Sequence, residues 1–95
     1  MAAIKITSGS DANLQFAFKD SNGIALTVSN PQIIEAGGAL SERTTVTLTD
    51  GVGGIVNVFI EGTDPLNVGR YPLRVQVELS DGNTLASKQI LIDVI

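Results

Sequence analysis

Hydrophobic and polar residues alternate along nearly the whole chain, with a period of two. In "NLQFAFK" (13–19), Leu14, Phe16 and Phe18 fall on one face and Asn13, Gln15 and Lys19 on the other. "TTVTLT" (44–49) turns Val46 and Leu48 inward and its threonines outward. "IVNVFI" (55–60) aligns Val56, Val58 and Ile60, and "YPLRVQVEL" (71–79) aligns Tyr71, Leu73, Val75, Val77 and Leu79 against Arg74, Gln76 and Glu78. "LASKQILIDVI" (85–95) closes with Ile90, Ile92 and Val94 on one side. Such alternation, rich in β-branched residues, predicts half-buried strands.

The segments between are punctuated by turn chemistry. "DSNG" (20–23), "DGVGG" (50–54) and "SDGN" (80–83) read as tight reversals. "IALTV" (24–28) is extended until "SNP" interrupts it. "QIIEA" (32–36) is a short strand with Ile34 and Ala36 inward and Ile33 outward, and "GGALSE" (37–42) is a loop. "EGTDPLN" (61–67) has room for one helical turn, with Asp64 as N-cap and Pro65 in the first helical position. Seven or eight strands and no helix of normal length predict an all-β antiparallel sandwich or small barrel, as one domain over 1–95.

One stretch refines that expectation. "NVGRYPLRV" places Asn67, Gly69, Tyr71 and Leu73 at successive two-residue steps. This is the spacing of the tyrosine corner of immunoglobulin-like sandwiches, where the hydroxyl bonds back to upstream backbone. Leu73 stands where antibody domains carry a disulfide cysteine. Pro72 has no amide to give a ladder, so it marks an edge, a bulge or the corner itself.

Composition removes several function classes. The chain has no cysteine, histidine or tryptophan and a formal charge of −4. Disulfides, thiol nucleophiles and cysteine-ligated zinc are excluded, and the usual general base near neutral pH is missing. Six basic residues are scattered, which disfavours nucleic acid as a partner. No apolar run is long enough for a membrane helix, and "MAAIKITSGSDANL" lacks the basic and apolar regions of a signal peptide.

Candidate chemistry is thin. Glu61 and Asp64 share a loop, but calcium needs a denser convergence of oxygens. Asp50 and Asp81 precede turn glycines. Ser87 and Lys88 are adjacent in a strand and point to opposite faces, so they cannot pair within it. The glycines at 37–38 and 51–54 lack the following helix and lysine of a phosphate loop. No catalytic, cofactor or metal residue is assigned.

The apolar residues of the wrong parity are more informative. Ile55 and Phe59 run out of phase with Val56, Val58 and Ile60; Leu91 and Ile95 do so against Ile90, Ile92 and Val94; Ile33 joins them. They read as ordinary surface hydrophobes, as residues turned inward by a bulge, or as contacts with another chain.

The succession "GSDANLQFAFKDSNG", "VTLTDGVGGIVNVFI", "GRYPLRVQVELSDG" and "SKQILIDV" resembles the immunoglobulin-like N-terminal domain of phage baseplate upper proteins and related β-sandwich modules of phage tails and capsids. The resemblance runs from about residue 5 to the end. It implies a non-enzymatic structural protein of the bacteriophage virion, made in the host cytoplasm. It would be an isolated domain or a short decoration or adaptor protein. Its implied partners are other virion proteins and copies of itself in a homo-oligomer. The alternative is a carbohydrate- or cell-surface-binding adhesion module, for which Phe59 is the available aromatic.

Overall fold

The computed structural model describes residues 4–62 and 66–95. The proposed helical turn at Asp64 and Pro65 lies outside them. Among the described residues eight strands form: β1 (Ile4–Ile6), β2 (Ala12–Ala17), β3 (Val28–Ala36), β4 (Thr44–Asp50), β5 (Ile55–Ile60), β6 (Gly69–Leu79), β7 (Thr84–Ala86) and β8 (Ile90–Val94). They make two sheets. Sheet A has the order β1-β8-β6-β3, with β7 beside β6, and sheet B the order β2-β5-β4.

The chain is an all-β sandwich, and it departs from an exact immunoglobulin fold at its first strand. β1 leaves β2 and pairs with β8 in parallel, Ile4 opposite Ile92 and Ile6 opposite Val94. Sheet A is therefore mixed rather than purely antiparallel. The pairing continues beyond the strands, through the Ile95 amide to the Ile6 carbonyl and the Ser8 amide to the Ile95 carbonyl, both at 2.9 Å.

The core is the sum of the inner faces. Val56, Val58 and Ile60 of sheet B meet Leu73, Val75, Val77, Ile92 and Val94 of sheet A, all almost wholly buried. Leu14 and Phe16 pack against this cluster, and Phe18 is buried within it. Leu48 has the inward parity, opposite Val56, but stays 43 % exposed because β4 is an edge strand.

Three expectations about residues 29–42 are corrected. "SNP" does not end a strand, since β3 runs through it with Asn30 at φ +46° and a register shift between Ser29 and Gln32. A second shift follows Ile33: it opposes Val75, whereas Glu35 opposes Arg74 and Ala36 opposes Leu73. Ile34 is the extra residue. Ile33 therefore packs inward and Ile34 is exposed, the reverse of simple alternation. "GGALSE" is also more than a loop. Its Gly38–Glu42 portion winds into a 3-10 turn that drives Leu40 completely into the core.

The corner at the start of β6 is formed by local contacts. The Tyr71 hydroxyl donates to the Asn67 carbonyl at 2.7 Å. Tyr71 opposes Ile92 and Leu73 opposes Ile90. The Pro72 carbonyl accepts the Gly37 amide at 3.0 Å. Pro72 so lies just past the last β3 partner, Ala36, where its missing amide costs the ladder nothing.

Between β7 and β8 one side chain takes over from the backbone. The Ser87 amide donates to the Val75 carbonyl at 2.7 Å, and the Val75 amide returns its bond to the Ser87 hydroxyl at 2.9 Å. The hydroxyl then donates to the Lys88 carbonyl at 3.1 Å. This accommodates the irregular residues 87–89 and lets β8 resume against β6 with Ile90 inward. Ser87→Ala strands the Val75 amide in a buried stretch and is expected to cost about 1–3 kcal/mol in urea unfolding. Ser80→Ala, in an exposed turn, should change stability far less.

Candidate functional site

The outward faces of the two sheets differ sharply in charge. Sheet A carries Lys5, Arg70, Arg74, Glu35, Glu78 and Asp93 outward, three residues of each sign. They neutralise one another across strands. Arg70 grips Asp93 in a two-pronged bond, Nε to Oδ1 at 2.6 Å and Nη2 to Oδ2 at 3.1 Å. That hydrogen bond, aided by the Arg70 and Lys5 charges, holds the Asp93 carboxyl below its ordinary range against the opposing effect of desolvation. Glu35 opposes Arg74 and accepts Gln89 Nε2 at 3.0 Å, and Glu78 accepts Asn30 Nδ2 at 2.9 Å.

Sheet B has no such lattice. Outward positions are Asn13, Gln15 and Ala17 on β2, Ile55, Asn57 and Phe59 on β5, and Thr45 and Thr47 on β4. None is charged. Asn57 Nδ2 donates to Asn13 Oδ1 at 3.1 Å, tying β5 to β2 at the centre of the face. Phe59 lies between Asn13 and Thr45 on the neighbouring strands, and Ile55 opposes Ala17. Both apolar side chains are half-buried by these neighbours. The chain's net negative charge therefore comes mostly from its turns, with Asp50 at the end of β4 the one charge contributed by the described strands of sheet B.

The five residues singled out as partner contacts do not form one patch. Ile55 and Phe59 share the outer face of sheet B. Leu91 lies on the outer face of sheet A, opposite Pro72 and two residues along the same strands from the Arg70–Asp93 pair. Ile95 is 59 % exposed beyond the end of β8. Ile33 is excluded, because the β3 bulge turns it toward the core.

The polar candidates are occupied by local structure. Asp20 Oδ1 accepts the Asn22 and Ile24 amides, Asp50 Oδ1 the Gly53 amide, and Asp81 Oδ1 the Asn83 amide, at 2.9–3.0 Å. Glu61 donates its amide to the Arg43 carbonyl as sheet B ends. A pocket of about 10 Å³ between Ile6, Ser8, Ile60, Leu66 and Val94 has the size of one water molecule. Its hydroxyl, Ser8 Oγ, donates to the Leu66 carbonyl at 2.7 Å.

What sequence reasoning missed is the face around Phe59, uncharged except for Asp50 at its rim, as a unit. Each strand shows neutral outward residues, but only the order β2-β5-β4 places them side by side. Comparison with protein-family models, with curated proteins and with solved structures gives no match.

Proposed function

We propose that this chain is a non-enzymatic contact module, a structural part of a bacteriophage virion in a baseplate, tail or capsid decoration. It binds neighbouring virion proteins through the outer face of sheet B. The virion assignment rests on the sequence resemblance. The observation that carries the contact reading is the uncharged surround of Phe59 on that face, formed by Asn13, Gln15, Asn57, Thr45 and Thr47, with Asp50 at the rim opposite Ile55 and bonded to the Gly53 amide, in a chain with 16 charged residues. Interface centres are depleted in charge and enriched in aromatics, for desolvating a charge costs more than a new contact returns. Sheet A, whose outward charges balance and include the Arg70–Asp93 pair, is suited to face solvent.

The test begins with the gene's neighbours. Its reading frame should lie among capsid or tail genes, and the structural proteins encoded beside it should co-purify with this chain on co-expression. Phe59→Asp should weaken that capture by more than about tenfold, the scale of an interface hot spot. Leu91→Asp, a matched change on sheet A, should leave it intact. A gene among metabolic enzymes, or capture indifferent to Phe59→Asp, overturns the reading. A glycan-array hit lost on Phe59→Ala would replace it with the adhesion alternative.

A further inference from the structure

β2 is an outer strand of sheet B, and no strand among the described residues pairs with its far side. The direction of its backbone groups follows from the β2–β5 register. Phe18 donates its amide to the Gly54 carbonyl at 2.8 Å, in line with the pairs Phe16–Val56, Leu14–Val58 and Ala12–Ile60. Antiparallel bonding alternates along a strand. The even residues of β2 thus bond β5, and Asn13, Gln15 and Ala17 aim their amides and carbonyls at the open side.

Sheet edges in natural proteins are normally guarded, and the others here are, β7 by its length of only three residues. β3 contains Pro31, a left-handed Asn30 and two register shifts. β1 has three residues. β4 loses register between Leu48 and Asp50, and a twofold pairing about Val46 would set Asp50 against Glu42 of the second copy. β2 has no proline, no charge and no bulge over its six residues.

We propose that β2 pairs antiparallel with β2 of a second copy about a twofold axis at Gln15, joining two three-stranded sheets into one of six. This rests on the reading of the chain as a contact module and names one of its partners. The strand is complementary to its own reverse. Gln15 meets Gln15 of the second copy, Leu14 meets Phe16, Asn13 meets Ala17, and Asp11 meets Lys19. Each end so gains an opposite-charge pair, and the two inner-face pairs are apolar. Asp11 uses Oδ1 for the Gly62 amide at 2.7 Å and has its second oxygen for the ammonium. A slip of two residues loses both ion pairs, so charge selects the register. Roughly six ladder hydrogen bonds form at the seam. An edge contact of this kind falls below the ~1,200 Å² of stable complexes, so the dimer is weak and depends on concentration.

The absence of cysteine makes the test direct. Sedimentation from micromolar to millimolar concentration should show monomer passing to dimer. Gln15→Cys should cross-link to itself under mild oxidation, since facing residues of a ladder lie within disulfide reach. Thr47→Cys on β4 should not. Lys19→Glu should shift the equilibrium at least about tenfold toward monomer by opposing Asp11 of the second copy, and Lys88→Glu, with the same charge change, should not. A chain monomeric throughout, cross-linking through position 47 instead of 15, or equal effects of the two lysine reversals would overturn the proposal. Phe59→Asp should leave this dimer unchanged. Loss of neighbour capture with Phe59→Asp, without any Gln15→Cys cross-link, would sink the edge pairing and leave the face reading standing.

Discussion

Gly54→Ala is expected to destabilise the domain by roughly 3–5 kcal/mol, a large part of the total stability of a small domain. Two effects combine. Gly54 has φ +71°, in the left-handed region, where a side chain crowds the following carbonyl. It is also buried, and a Cβ there would lie 2.5 Å from the Phe18 carbonyl oxygen and 2.7 Å from that of Leu26. These are backbone atoms, held by the bonds that join the end of β2 to the start of β5, so they cannot swing aside. Gly82→Ala separates the effects. Gly82 has φ +88°, but its Cβ would meet nothing within 4 Å, so only the conformational cost of about 1–2 kcal/mol applies. Urea unfolding of both variants should show Gly54→Ala the worse by at least about 1 kcal/mol. Equal losses would mean that the backbones do not approach so closely.

The second large effect is expected at Leu73→Ala. Leu73 is wholly buried on β6, between Ala36 of β3 and Ile90 of β8, under the inner face of sheet B. Truncation removes three carbons' worth of burial and leaves a cavity that three strands hold open. The expected loss is about 2–5 kcal/mol, which lowers the melting temperature by more than about 8 °C in a domain of this size. Leu48→Ala is the comparison. On sequence pattern the two leucines are equally inward, but Leu48 is 43 % exposed and should cost under about 1 kcal/mol. Similar losses at both sites would contradict the edge position of β4.

How far such differences can be read from the chain depends on the distance over which they are set. The alternations at 13–19, 55–60 and 71–79 already separate Phe16 from Gln15, Val58 from Asn57 and Val75 from Arg74, and the structure keeps those separations. Tyr71 and Asn67 are four residues apart, so their hydrogen bond also belongs to local geometry. Ile33 shows where that reasoning stops. Its parity depends on a bulge in β3, and the bulge exists because Val75 and Leu73 on β6 must face Ile33 and Ala36 with one residue too many between them. Ser87 is similar: nothing in "ASKQ" announces that its hydroxyl will accept an amide 12 residues away.

Strands, turns and the inward face of most segments were therefore present in the order of residues, for a pleat of period two and a turn of a few residues are satisfied by near neighbours. The membership of each sheet, the parallel docking of β1 on β8, the bulges, and the gathering of Asn13, Gln15, Asn57, Phe59, Thr45 and Thr47 onto one face arose only when segments far apart in the chain paired. Backbone hydrogen bonding is the same for any two strands. The choice among partners falls to the fit of whole inner faces around a shared core, and no single segment contains that information.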